Sequence, residues 1–88
     1  MVFEKVTITN EEGIHARPAT NLASVCMNCD SKVELRVGQN VLNPSNIFEL
    51  MSQGIKCGTE VEITCDGLTE DEDLAKIIAC IKDGMKSI

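Results

Sequence analysis

The chain has 88 residues, 43% of them hydrophobic and 25% charged, a globular balance that argues against disorder and against a second independently folded core. Eight Lys and Arg against fourteen Asp and Glu give a net charge of −6, which speaks against nucleic acid as the main partner and against an anionic membrane surface. No apolar run approaches the ~18 residues of a membrane span, and the start MVFEKVTITNEEG is too polar for an export signal, so the expectation is one soluble, cytoplasmic domain over residues 1–88.

Residues 2–9 alternate, with Val6 and Ile8 opposite Lys5, Thr7 and Thr9, as a half-buried strand should. Asn10-Glu11-Glu12-Gly13 is a turn. From Ala16 the period changes: Ala19, Leu22, Ala23 and Cys26 fall at i, i+3, i+4 and i+7, one face of a helix. Pro18 suits the first turn, where a missing N–H costs nothing. Alternation returns over Lys32–Val37, and Gly38-Gln39 turns the chain into a short strand at Asn40–Leu42. Asn46 and Glu49 are spaced as a capping box for a short helix carrying Ile47, Leu50 and Met51, with Gly54 as its stop. Glu60–Asp66 points Val61, Ile63 and Cys65 inward. Thr69 and Glu72 are spaced as a second capping box, opening a helix whose stripe is Leu74, Ile77, Ile78, Ile81 and Met85. The order βαββαβα, with one apolar face per strand, predicts an α+β fold with the helices together on one side of an antiparallel sheet.

Five cysteines, at positions 26, 29, 57, 65 and 80, are an odd count without an export signal, so the expectation is reduced thiols. Cys26-Met-Asn-Cys29 has C-x-x-C spacing, but it closes a helical pattern instead of opening one. No second close pair completes a zinc site. No metal and no cofactor are expected.

His15 is the one histidine. It stands just before a helix start, where the first backbone N–H groups lack intrahelical partners and the positive end of the dipole lies. An imidazole there places a nucleophilic nitrogen beside an anion cradle, and Arg17 adds a permanent cation with a planar fork suited to phosphate. The site offers a nucleophile, an anion cradle and a cation, with nothing to activate water. It suits a carrier of phosphoryl groups better than a hydrolase. Taken alone, a histidine in a turn is more often a solvated loop residue or a cap than a reactive one; the surrounding string decides the reading.

That string, Gly-Ile-His-Ala-Arg-Pro-Ala at 13–19, strongly resembles the phosphorylation-site motif of the HPr family, the histidine-containing phosphocarriers of the bacterial phosphoenolpyruvate:sugar phosphotransferase system. The length, the order of elements and Met-Ser-x-Gly-Ile at 51–55 are similar too. The resemblance implies an open-faced β-sandwich with strand order 1-4-2-3 and three helices on one face. It implies that His15 takes a phosphoryl group on Nδ1 from phospho-enzyme I and passes it to IIA proteins or domains. Arg17 and the N–H groups of Ala16 and Arg17 would hold the group, and Ile47, Phe48 and Met51 would dock partners. No enzyme activity, no membrane insertion and a monomer are expected. The alternative within the resemblance is a regulatory binding module of a nitrogen or catabolite-control branch.

Two departures matter. Asn46 stands where many relatives carry a regulatory serine, so no serine-kinase control is expected there. Ser24, Met27 and Glu49 stand where lysines are common in the family, which weakens electrostatic steering and leaves more to apolar contact.

Overall fold

The computed structural model describes residues 1–86, and its elements follow the predicted order. They are β1 (Val2–Thr7), α1 (Ala16–Met27), β2 (Lys32–Val37), β3 (Asn40–Leu42), α2 (Ile47–Ser52), β4 (Glu60–Asp66) and α3 (Glu70–Lys82). β1 ends two residues earlier than the alternation suggests. The chain nevertheless stays paired, since Ile8 N–H donates to Thr59 O at 2.8 Å and Gly58 N–H to Ile8 O at 2.7 Å.

The four strands form one sheet in the order β1-β4-β2-β3, with every neighbouring pair antiparallel. Register explains the core. Val6 lies opposite Val61, Leu35 opposite Ile63 and Val33 opposite Cys65, so the apolar members of the alternation share a face. α3 covers that face beneath β1 and β4, and α1 packs beside α3 and α2. Ile8, Leu22, Leu35, Leu50, Ile63, Ile77 and Ile81 are fully enclosed, each burial stabilising by roughly 1.5–3 kcal/mol. Aliphatic packing does the work that aromatic residues do elsewhere: Phe3 and Phe48 are both exposed.

The other face of the sheet is bare and largely polar, with Phe3 and Val41 exposed on it. Lys5, Glu62 and Arg36 lie in one row across β1, β4 and β2, opposite charges alternating as cross-strand neighbours prefer. Gly38 opens the β2–β3 turn with φ +59°, a left-handed conformation that suits glycine.

The two expected capping boxes fare differently. Asn46 Oδ1 accepts from Phe48 N–H at 3.0 Å and Glu49 N–H at 3.3 Å, the N-cap half of the motif. Glu49 does not reach back to Asn46. Its carboxylate accepts from Asn43 N–H at 3.0 Å, while Asn46 N–H donates to Asn43 O. At α3 the box does not form, because Thr69 makes no side-chain cap. Thr69 Oγ1 donates instead to Asp73 Oδ2 at 2.8 Å.

Asp73 is 3% exposed. Its Oδ2 also accepts Ser31 N–H at 3.0 Å and Ser31 Oγ–H at 2.6 Å, tying the start of α3 to the α1–β2 loop. These bonds hold its carboxyl below the usual range, the Ser31 hydroxyl contributing most. No helix among the described residues is long and apolar enough to cross a membrane.

Candidate functional site

The loop carrying His15 is set by backbone. Gly13 has φ +68°, and a Cβ there would stand 2.2 Å from Ile55 O and 2.9 Å from Lys56 Cα. Glycine is required by conformation and by space together. Next to it, Ile14 N–H donates to Ile55 O at 2.9 Å, and the Ile14 side chain is fully buried. Gly13 N–H also donates to Asn10 O, and the Asn10 amide returns a hydrogen bond to Gly13 O. One bond therefore ties the residue before His15 to the segment after α2, and two close the Asn10–Gly13 turn that precedes it.

His15 itself is the N-cap of α1, with extended backbone (φ −150°, ψ 153°) and no side-chain bond to the helix. Its ring is free and exposed. Ala16 follows with φ +53°, a left-handed value that costs a side-chain-bearing residue roughly 1–2 kcal/mol. The N–H groups of Ala16 and Arg17 precede any intrahelical acceptor, and Pro18 has none to offer. Thr20 Oγ1 donates back to Ala16 O at 3.2 Å, closing the first turn. The expected pieces are thus together: an accessible imidazole, two unclaimed N–H groups beside it, and the exposed Arg17 two residues on.

Arg17 and Pro18 also line a shallow depression of about 350 Å³ shared with Glu12, Gly84, Met85 and Lys86. A second basic residue, Lys56, stands exposed directly beyond the Ile55 contact. Neither Lys56 nor Lys86 was marked by the motif. Their approach to α1 depends on contacts about 40 and 70 residues apart in the chain, which no local pattern records.

The residues of α2 expected to dock partners, and their neighbour Leu50, divide as helix geometry dictates. Leu50 is 0% exposed and Phe48 76% exposed. Ile47 and Met51 are half-buried at the edge of the core. α2 packs on α1, and Gly54, φ +62°, ends it just before Ile55. The C-terminal end of α2 and the His15 loop are therefore neighbours through Ile55. Met27, exposed at the end of α1, is an apolar residue where the resemblance led one to look for lysine.

The thiols do not form a working pair. Cys26 is buried and Cys29 half-buried, with Cys29 Sγ donating to Val25 O at 3.3 Å. Burial pushes the Cys26 thiol far up and Cys65 up to about 11, the opposite of what a reactive thiolate needs. Among the described residues no cluster of three or more His, Cys, Asp or Glu is arranged to hold a metal.

Comparison with known proteins agrees with this geometry. Residues 2–83 match the family described as the PTS HPr component phosphorylation site. The phosphocarrier protein HPr of Mycoplasma genitalium is 39% identical over 79 residues, covering 89% of this chain and 90% of that one. A solved mycoplasma histidine-containing phosphocarrier protein superposes with a TM-score of 0.88 at 30% identity, covering 93% of each chain. An HPr of Thermoanaerobacter tengcongensis superposes with a TM-score of 0.93 over 100% of this chain and 99% of that one; at 24% identity it speaks for the fold. The chain therefore belongs to the HPr family of the phosphotransferase system, whose members are phosphocarriers with a transient phosphohistidine and not enzymes.

Proposed function

We propose that His15 is the phosphoryl acceptor and that the protein carries the group from phospho-enzyme I to IIA proteins or domains in support of sugar uptake. The observation that supports this most directly is the placement of an exposed imidazole at the N-cap of α1 beside the unclaimed N–H groups of Ala16 and Arg17. In the forward step the Nδ1 lone pair bonds to phosphorus while phosphorus separates from the donor, which keeps the bonding pair. Those N–H groups and the Arg17 guanidinium hold the developing charge without reorganising, and transfer onward is the same displacement on the next acceptor. The N–H groups and Arg17 hold the phosphoryl group until a partner arrives.

Ile47, Phe48 and Met51 supply the docking surface. It is small, apolar and adjacent to the histidine, as rapid exchange between partners requires. The protein works as a cytoplasmic monomer. Asn46 caps α2 without a hydroxyl, so serine phosphorylation does not regulate this position.

The test is direct. Phosphoenolpyruvate and enzyme I should add one acid-labile phosphoryl group to the wild type, seen by mass spectrometry, and His15→Ala should abolish the gain. A wild type that stays unmodified while binding its partners normally would favour the regulatory module. Modification of the alanine variant would place the acceptor elsewhere.

A further inference from the structure

Asn21 stands one turn beyond Arg17 on α1 and is 6% exposed. Its Nδ2 donates to Met85 O at 2.7 Å, a buried bond across 64 residues of sequence. Met85 has φ +56° and follows Gly84 at φ +78°, so the chain leaves α3 through two successive left-handed residues. The turn is further held by Met85 N–H to Cys80 O at 2.9 Å and Gly84 N–H to Ile81 O at 3.0 Å, and the Met85 side chain is fully enclosed. A left-handed residue with a side chain persists only where its surroundings over-determine it. Here they do so beside the candidate phosphoryl site, and the result is that Lys86 comes back to share the Arg17 depression.

We propose that Lys86 is a second cation of the phosphoryl-transfer site and that Asn21 is its positioning residue. Together with Arg17 they offer a place for a phosphate-class dianion. A planar guanidinium and a mobile ammonium at one depression complement each other, one fixing orientation and the other supplying a point charge. Among the described residues Glu12 is the one carboxylate lining the same depression, and Glu11 and Asp83 share the adjoining one with Lys82 and Lys86, so the charge lining the Arg17 depression is positive although the chain as a whole is acidic. Ser24, Met27 and Glu49 supply no such charge on the helices, and the segment following α3 supplies it. The proposal rests on the carrier reading for the identity of the dianion, not for the existence of the site.

Two measurements separate the proposal from that reading. First, the unphosphorylated protein is titrated with inorganic phosphate at low ionic strength and followed by the NMR signals of Arg17. Lys86→Gln and Asn21→Leu should each weaken binding about threefold, a difference that fades near 0.5 M salt. The double variant should be no weaker than either single one, because Asn21 acts through Lys86. Lys32→Gln, on the bare face of the sheet, should change nothing. Second, the same variants are phosphorylated with phosphoenolpyruvate and enzyme I, and the rate should fall in step with the phosphate affinity. Lys86 is exposed, so its variant carries the test even if Asn21→Leu folds poorly.

Equal phosphate affinity in wild type and Lys86→Gln overturns the proposal. Additive losses in the double variant overturn the role of Asn21. A loss confined to the enzyme I reaction, with phosphate binding unchanged, means that Lys86 meets acidic groups of the partner, and this too overturns it. Should the phosphate pattern appear while enzyme I fails to modify the wild type, the site stands and the carrier reading falls.

Discussion

Substituting Gly13 by Ala tests whether the His15 loop is held as tightly as its geometry indicates. A methyl group there must stand at φ +68° and 2.2 Å from Ile55 O. The left-handed conformation alone costs an alanine roughly 1–2 kcal/mol. The overlap is with backbone, so it cannot be relieved by a rotamer. The loop must lift, and the Ile14 N–H to Ile55 O bond of 2.9 Å goes with it, about 1 kcal/mol more. The expected loss is about 2–3 kcal/mol, which lowers Tm by roughly 10–20 °C in a chain of this size. Gly38→Ala is the matched control, because φ is +59° there and a Cβ meets nothing within 4 Å. It should lose only the conformational part, about 1 kcal/mol, offset slightly by the stiffer unfolded chain. Urea unfolding of both variants gives the comparison, and phosphorylation of folded Gly13→Ala should be slowed as His15 moves. If the two variants lose the same stability within about 0.5 kcal/mol, the close approach to Ile55 does not restrain the loop, and the reasoning fails.

Phe48→Ala should weaken transfer to and from partners severalfold while leaving the unfolding free energy from urea titration within about 0.5 kcal/mol of the wild type, because the ring is exposed; a large stability loss would show it to be core. Leu50→Ala, two residues away and fully buried, should instead cost about 2–5 kcal/mol. Asp73 titrates below its usual range in the folded protein. Its contribution is therefore complete above the unfolded value of about 4 and is lost as pH falls through the lower folded value. Asp73→Asn should be less stable near neutrality and should flatten the acid limb of stability against pH; an unchanged limb would refute the assignment. In alkylation of the native protein Cys57, the exposed thiol, should react first, with Cys26 and Cys65 reacting only on unfolding. Incubation with an HPr serine kinase and ATP should leave α2 unmodified, whereas Asn46→Ser restores a hydroxyl that can be tested in the same assay.

Much of this fold is legible in the sequence because its elements are amphipathic and short, so that period and punctuation coincide. Lys32–Val37 and Glu60–Asp66 have the bounds their alternation suggests. Strand order is different in kind: it entered through the resemblance, since several pairings satisfy the same alternation. Thr69 shows where local reasoning fails. Its spacing to Glu72 is that of a capping box, yet Asp73 lies four residues before Ile77 and continues the buried stripe of α3. Read along that stripe, the fourth acid of the Glu70–Asp73 run could have been assigned to the interior, where it needs donors.

At the site, His15, Ala16, Arg17 and Pro18 are contiguous, so one string gathers them. Gly13 against Ile55 and Asn21 against Met85 join segments distant in sequence, and the left-handed φ of Ala16 answers to that packing and not to alanine's own preference. No periodicity carries these facts. The Cys26–Cys29 spacing falls at the end of α1, where Cys26 is buried and its thiol is pushed up by that burial.

The tie between Ile14 and Ile55 runs from main chain to main chain. The exposed side chain at 56 can therefore change without moving the peptide group that seats the histidine loop, whereas Ile55 is buried in the core and position 13 admits glycine alone. Docking, on the proposed reading, depends in contrast on what the side chains of α2 present. Reactivity and partner choice are thus encoded separately, and a chain of this design can exchange partners by altering a few surface residues while its phosphoryl chemistry stays the same.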